Sequence, residues 1–133
     1  MHPVPGFTLV ECAVVCAVAA ILTAVAWPSL QGHTLRASRL DAVQALTRLQ
    51  TAQEQYRSAH GLYAGDLSAL RGVAPASDQG RYTLALVLTG PESYRATALA
   101  RGAQTRDRAC VAITLDVSLG FAQTGPGPQC WNR

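Results

Sequence analysis

Few side chains in this sequence are of types that do chemistry. Glu11 is the lone acid in an apolar run from Phe7 to Trp27. The cysteines form two pairs, Cys12 with Cys16 inside that run and Cys110 with Cys130 near the C-terminus. His2, His33 and His60 are scattered and far from the second pair. Neither cysteine pair has the spacing of a zinc site. The chain carries no nucleophile motif and no phosphate-binding loop. Asp107 and Asp116 flank Cys110 and could in principle feed a calcium ion. Calcium wants about six to eight oxygens, so they read more simply as turn and strand-end acids. No catalytic residue, metal or cofactor is expected, and the chain does not read as an enzyme.

Each remaining group has a plain physical reading. Cys110 and Cys130 are flanked by turn residues and fit a disulfide formed in an oxidising compartment. Such a bridge closes a loop of roughly 20 residues and contributes about 3 kcal/mol on the chain-entropy account; the alternative is two free thiols. Cys12 and Cys16 stand four apart on one helical face, where they cannot easily reach disulfide geometry and behave as small apolar side chains. Glu11 costs free energy in hydrocarbon unless it has a partner. Thr8-Leu9-Val10-Glu11 matches a capping box, which explains Thr8 and Glu11 but leaves Gly6-Phe7 unexplained.

All eleven basic residues are arginine, and the net charge is only +3. That excess does not by itself announce a nucleic-acid partner. Arg101, Arg106 and Arg108 form one mild cluster. With Arg133 they could gather beside the cystine and hold DNA through its phosphates, with a steep salt dependence. The simpler reading, and the one the sequence favours, is a solvated surface.

The elements that position these groups follow from periodicity. The 133 residues are only 14% charged, against about 25% in ordinary soluble domains. As a helix, the run from Phe7 to Trp27 is roughly 32 Å long, enough to cross a bilayer core. It lacks the basic front of a cleaved secretory signal, and Trp27-Pro28 is a poor cut site. Pro28 should kink or loosen the helix. From Thr34 to Ala59, Leu35, Ala42, Ala45, Leu46, Leu49 and Tyr56 share one stripe, with Leu40 and Val43 outside it. Arg36, Arg39, Asp41, Arg48, Glu54 and Arg57 fall on the polar sides and read as a solvated face. Gly61 is a helix stop. An irregular link runs from Leu62 to Gly80, with a short turn capped by Asp66. Strands are expected at 82–88, at 94–100 and at 110–116, the last with Val111, Ile113 and Leu115 on one face; Leu119-Gly120-Phe121 opens a fourth. The fold class is α+β, one long helix on an antiparallel sheet of about four strands.

Gly6-Phe7-Thr8-Leu9-Val10-Glu11, followed by an unbroken apolar helix and Pro28, closely resembles the processing signal of type IV pilins and pseudopilins. Gly102-Ala103-Gln104, Asp107, Cys110, Thr114-Leu115-Asp116, Gly120 and Cys130-Trp131 resemble the C-terminal half of small disulfide-bearing minor pilins of the type IVa kind. The resemblance implies a leader at 1–6, a membrane and filament-core helix at 7–28, and a head at 29–133. The head would hold an amphipathic helix about 29–60, a sheet about 81–123 and a disulfide-bounded loop at 110–130. It also implies cleavage between Gly6 and Phe7 by a prepilin peptidase, N-methylation of Phe7, and Glu11 as the charge that sets subunit register against a neighbour's terminal amine. The implied partners are other pilin subunits, the inner-membrane assembly platform and the membrane itself. The subunit would rest in the inner membrane with a periplasmic head and end in an extracellular pilus serving adhesion or motility. The leader has no Lys or Arg, and Arg36 and Arg39 beyond the run would favour the opposite orientation; the expected cystine favours the periplasm. Alternatives are a DNA-binding uptake pilin, a type II secretion pseudopilin, or a single-span membrane protein with a periplasmic binding head.

Overall fold

A computed structural model describes residues 6–132. The expected leader residues 1–5 and Arg133 therefore lie outside the described residues. The chain divides into two compact units, Met1–Thr34 and Leu35–Arg133.

The first unit is helix. The helix α1 is assigned over Leu9–His60, and Pro28 lies inside it without ending it. Losing one backbone donor loosens a helix but need not break it when the turns on either side are intact. Thr8 caps the start: the Glu11 amide donates to Thr8 Oγ1 at 3.3 Å, half of the expected capping box. Leu9, Val14, Ile21, Leu22 and Val25 are all exposed. The helix is long and apolar enough here to cross a membrane.

The second unit packs the C-terminal half of α1 on a four-stranded antiparallel sheet, β1 (Tyr82–Gly90), β2 (Ser93–Ala100), β3 (Ala112–Ser118) and β4 (Phe121–Gly125). The strands follow one another in the order β1-β2-β3-β4, the simple meander that tight turns dictate. Ala42, Ala45, Leu46, Leu49 and Ala52 on α1 meet Leu84, Tyr94, Ala96, Ala98, Ile113, Leu115 and Val117 on the sheet, all buried. The small residues on both sides suit close approach of helix to sheet. Leu35 and Tyr56 of the expected stripe are half-buried, and Leu40 is exposed as expected.

Three expectations are corrected. Arg39 and Asp41 are buried, not solvated. Residues 108–110 form a short 3-10 turn, and β3 begins only at Ala112. The buried face of β3 is therefore Ile113, Leu115 and Val117, while Val111 is exposed. The alternation keeps its parity, and the strand starts later because residues 108–110 form the turn that carries Cys110 to its cystine.

The irregular link is organised by polar helix residues. The Gln53 amide clamps the Ala64 backbone from both sides, at 2.9 Å each way. Asp41 accepts from the Ser77 hydroxyl at 2.6 Å and from the Gln79 amide at 3.2 Å. Gly61 ends α1 with φ +76°, where a side chain would be strained. The Ser68 amide donates to Asp66, the expected cap.

Candidate functional site

The surface around the cystine is built from three segments that are remote in sequence. Cys110 and Cys130 are bonded, with Cα atoms 5.6 Å apart. This ties a Gly/Pro-rich tail to the loop 101–110 that joins β2 to β3. The tail has little core of its own, but Trp131 is buried and its indole N–H donates to Gly125 O at 3.0 Å.

The third segment is the helix turn at 35–39. Arg39 makes a two-pronged bond to Asp107, Nε to Oδ2 at 2.7 Å and Nη2 to Oδ1 at 2.8 Å. Its Nη1 donates to Gln129 O at 2.9 Å, one residue before Cys130. Gln104, also buried, donates to Leu35 O at 3.0 Å. The hydrogen bond to Asp107 holds the Arg39 guanidinium protonated beyond its ordinary range, with burial opposing and losing. A planar fork on a carboxylate fixes both partners in direction as well as distance. One buried pair thus locks helix, loop and tail together.

Outside this lock, Arg101, Arg106 and Arg108 are exposed. None of the three meets a carboxylate among the described residues. Two further arginines join them. The Arg101 amide donates to Arg81 O at 2.8 Å, and the Arg81 guanidinium hydrogen-bonds Ser38 on the same helix turn. Arg36 is exposed on that turn, next to the Leu35 carbonyl that Gln104 holds. Two acids lie at this end, but Asp107 is taken by Arg39 and Asp41 by Ser77 and Gln79; others are paired away from it. Arg48 pairs with Asp78, Arg57 with Glu92 and Arg95 with Asp116, while Glu54 accepts from Tyr63. Asp107 and Asp116 each face an arginine, which leaves neither looking like part of a calcium shell.

Among its described residues the arrangement has no nucleophile and base in contact; what it offers is positive charge on a pinned loop. Forked guanidinium groups are suited to phosphate oxygens. The structure brings together three of the four arginines singled out in the sequence; Arg133 lies outside the described residues. Arg36 and Arg81 were missed because nothing local distinguishes them. Arg39 was missed because its partner is 68 residues away.

In the first unit, Phe7 is exposed and Glu11 lies in the first turn of α1. Cys12 and Cys16 are free thiols.

Residues 28–114 match the family described as "Type IV minor pilin ComP, DNA uptake sequence receptor". Among curated relatives, the type IV major pilin protein PilE of Neisseria gonorrhoeae is 34% identical over 58% of this chain and 46% of its own length. A PilE1 protein from the same organism is 40% identical over 58% of this chain and 36% of its own. The fimbrial protein EcpC of Eikenella corrodens is 28% identical over 87% of this chain and 79% of its own. The chain spans less than half the length of the neisserial pilins it matches. With the long apolar helix, the antiparallel sheet and the C-terminal cystine, these matches place the chain among the type IV pilins, in the family of the minor pilin ComP.

Proposed function

We propose that this protein is a minor pilin whose mechanism is polymerisation, and whose head binds DNA at its arginine end. Processing cuts between Gly6 and Phe7 and methylates the new amine. The subunit rests in the inner membrane with a periplasmic head, then enters a filament through residues 7–28. Glu11 pairs there with the terminal amine of a neighbouring Phe7, and a subunit docked out of step strands both charges. Leaving either charge buried and alone costs several kcal/mol.

The DNA role is carried by one observation. Arg101, Arg106 and Arg108 are exposed on a loop pinned by the cystine and the Arg39–Asp107 pair, and meet no carboxylate among the described residues. The family description, a DNA uptake sequence receptor, gives the reading added weight over an idle solvated surface. Three arginines on duplex phosphates give a salt slope of about −2.7 in log K against log salt. A gel shift with the head from Ser29 onward tests this. The parent should bind duplex DNA and lose it steeply with salt, and Arg101→Gln/Arg106→Gln/Arg108→Gln should flatten the slope by about that amount. Binding indifferent to both salt and the triple change would reject the DNA role. Mass spectrometry of the mature chain tests the processing; an intact Met1 would reject it.

A further inference from the structure

We propose that, while the subunit waits in the membrane, its arginine end rests on anionic phospholipid headgroups. Lipid then occupies the same guanidinium groups that take DNA once the subunit leaves. The exchange of lipid for DNA rests on the DNA reading above; the lipid contact does not.

Position along the chain is the first argument. Arg36 follows Trp27 by nine residues, all within α1, a contour of about 14 Å at the helical rise. The headgroup layer extends roughly 5–8 Å beyond the hydrocarbon on each side. Along the chain, the length left over is at most about one screening length at 0.1 M salt. Gln104 on Leu35 O, Arg81 on Ser38 and Asp107 on Arg39 hold the other arginine-bearing segments to this same turn of helix. The arginine end is thus tied to the turn at which the second unit begins, at Leu35.

Charge distribution is the second. Arg36, Arg81, Arg101, Arg106 and Arg108 gather here with no carboxylate partner among the described residues. The other end of the sheet carries Glu92 in the β1–β2 turn and Asp116 toward the end of β3, each offset by an arginine, Arg57 and Arg95. A β-strand of seven residues spans about 23 Å, and β3 has that length. Against paired charges at the far end, uncompensated positive charge thus collects at the end of the strands tied to the 35–39 turn. Anionic headgroups are attracted to that end and zwitterionic ones much less.

Rigidity is the third. The cystine and the Arg39–Asp107 fork fix the loop, so its arginines are presented together and little ordering is needed on contact.

The test uses the full chain in nanodiscs of phosphatidylcholine alone or with phosphatidylglycerol. Hydrogen exchange of the 101–110 segment should slow several-fold with the anionic lipid. Half-molar salt, or Arg101→Gln/Arg106→Gln/Arg108→Gln, should abolish the slowing while exchange in β2 and β3 stays unchanged. Equal exchange in the two discs, or slowing that survives the triple change, overturns the lipid contact. For the exchange with DNA, the detergent-solubilised chain is bound to a duplex and challenged. Short-chain phosphatidylglycerol should displace the duplex, and short-chain phosphatidylcholine should not. Displacement by inorganic phosphate at the same concentration would show a simple anion effect and overturn the headgroup assignment. A chain that binds no DNA yet is protected by anionic lipid would reject the DNA role and leave the lipid contact standing.

Discussion

Arg39 and Glu11 show how differently two charges on one helix behave. Arg39 is nine-tenths buried at its side chain and forked onto Asp107. Removing one partner of such a pair leaves an uncompensated charge, so Arg39→Gln or Asp107→Asn should each destabilise the head by about 3–5 kcal/mol in urea unfolding. Replacing both by apolar residues, Arg39→Met with Asp107→Leu, should recover most of that loss. If the double change were as damaging as the singles added together, the pair would not be acting as a unit. Glu11 can be separated from its cap, because it is the Glu11 backbone that bonds Thr8. Glu11→Gln should therefore keep the helix and the subunit level in the membrane while cutting filament assembly, as read by sheared-pilus yield. Normal yield would remove the registration role.

The β3–β4 hairpin is closed by Leu119-Gly120, both at positive φ, +52° and +81°. A two-residue turn with that pattern matches the right-handed twist of its strands. Glycine takes it freely, but leucine is strained there by roughly 1 kcal/mol or more. Leu119 is also exposed, so packing does not hold it in place. Leu119→Asn should stabilise the head by about 0.5–1 kcal/mol, raising the denaturation midpoint without changing the slope. The cystine acts at the same scale by tying the tail beyond β4 to the loop before β3, 20 residues earlier. Reduction should cost about 3 kcal/mol.

For the head as a whole, alkaline pH is the informative variable. Burial pushes the hydroxyls of Tyr63, Tyr82 and Tyr94 above the ordinary tyrosine range, and Glu54 adds to the effect at Tyr63. Below about pH 10 both folded and unfolded chains keep these protons, and the contribution to stability is fully present. Above it the unfolded chain ionises first, so stability falls as pH rises. The Tyr94 hydroxyl is buried with no hydrogen-bond partner among the described residues. Tyr94→Phe should thus be neutral or slightly stabilising at pH 8, and should flatten the decline between pH 10 and about 11.5 in urea titrations. An unchanged decline would place the titration elsewhere.

Periodicity, turn residues and the apolar run were enough to read the α+β class, the long helix, the four consecutive strands and the cystine, because each follows from local spacing or from compartment chemistry. Gly6, Phe7, Glu11 and Pro28 read as a motif for the same reason, and their roles belong to the proposed function. The candidate surface was only partly legible. Arg101, Arg106 and Arg108 lie close in sequence, but Arg36 and Arg81 join them only when β1, β2 and the 35–39 turn meet. On the polar side of α1, Arg36 and Arg39 look alike, and folding exposes one and buries the other. Asp107 decides that difference, arriving from 68 residues away to repay the desolvation of a single guanidinium. Helical spacing therefore set which residues face away from the apolar stripe, while the tertiary fold decided which of those charges were neutralised and which were left without a carboxylate among the described residues.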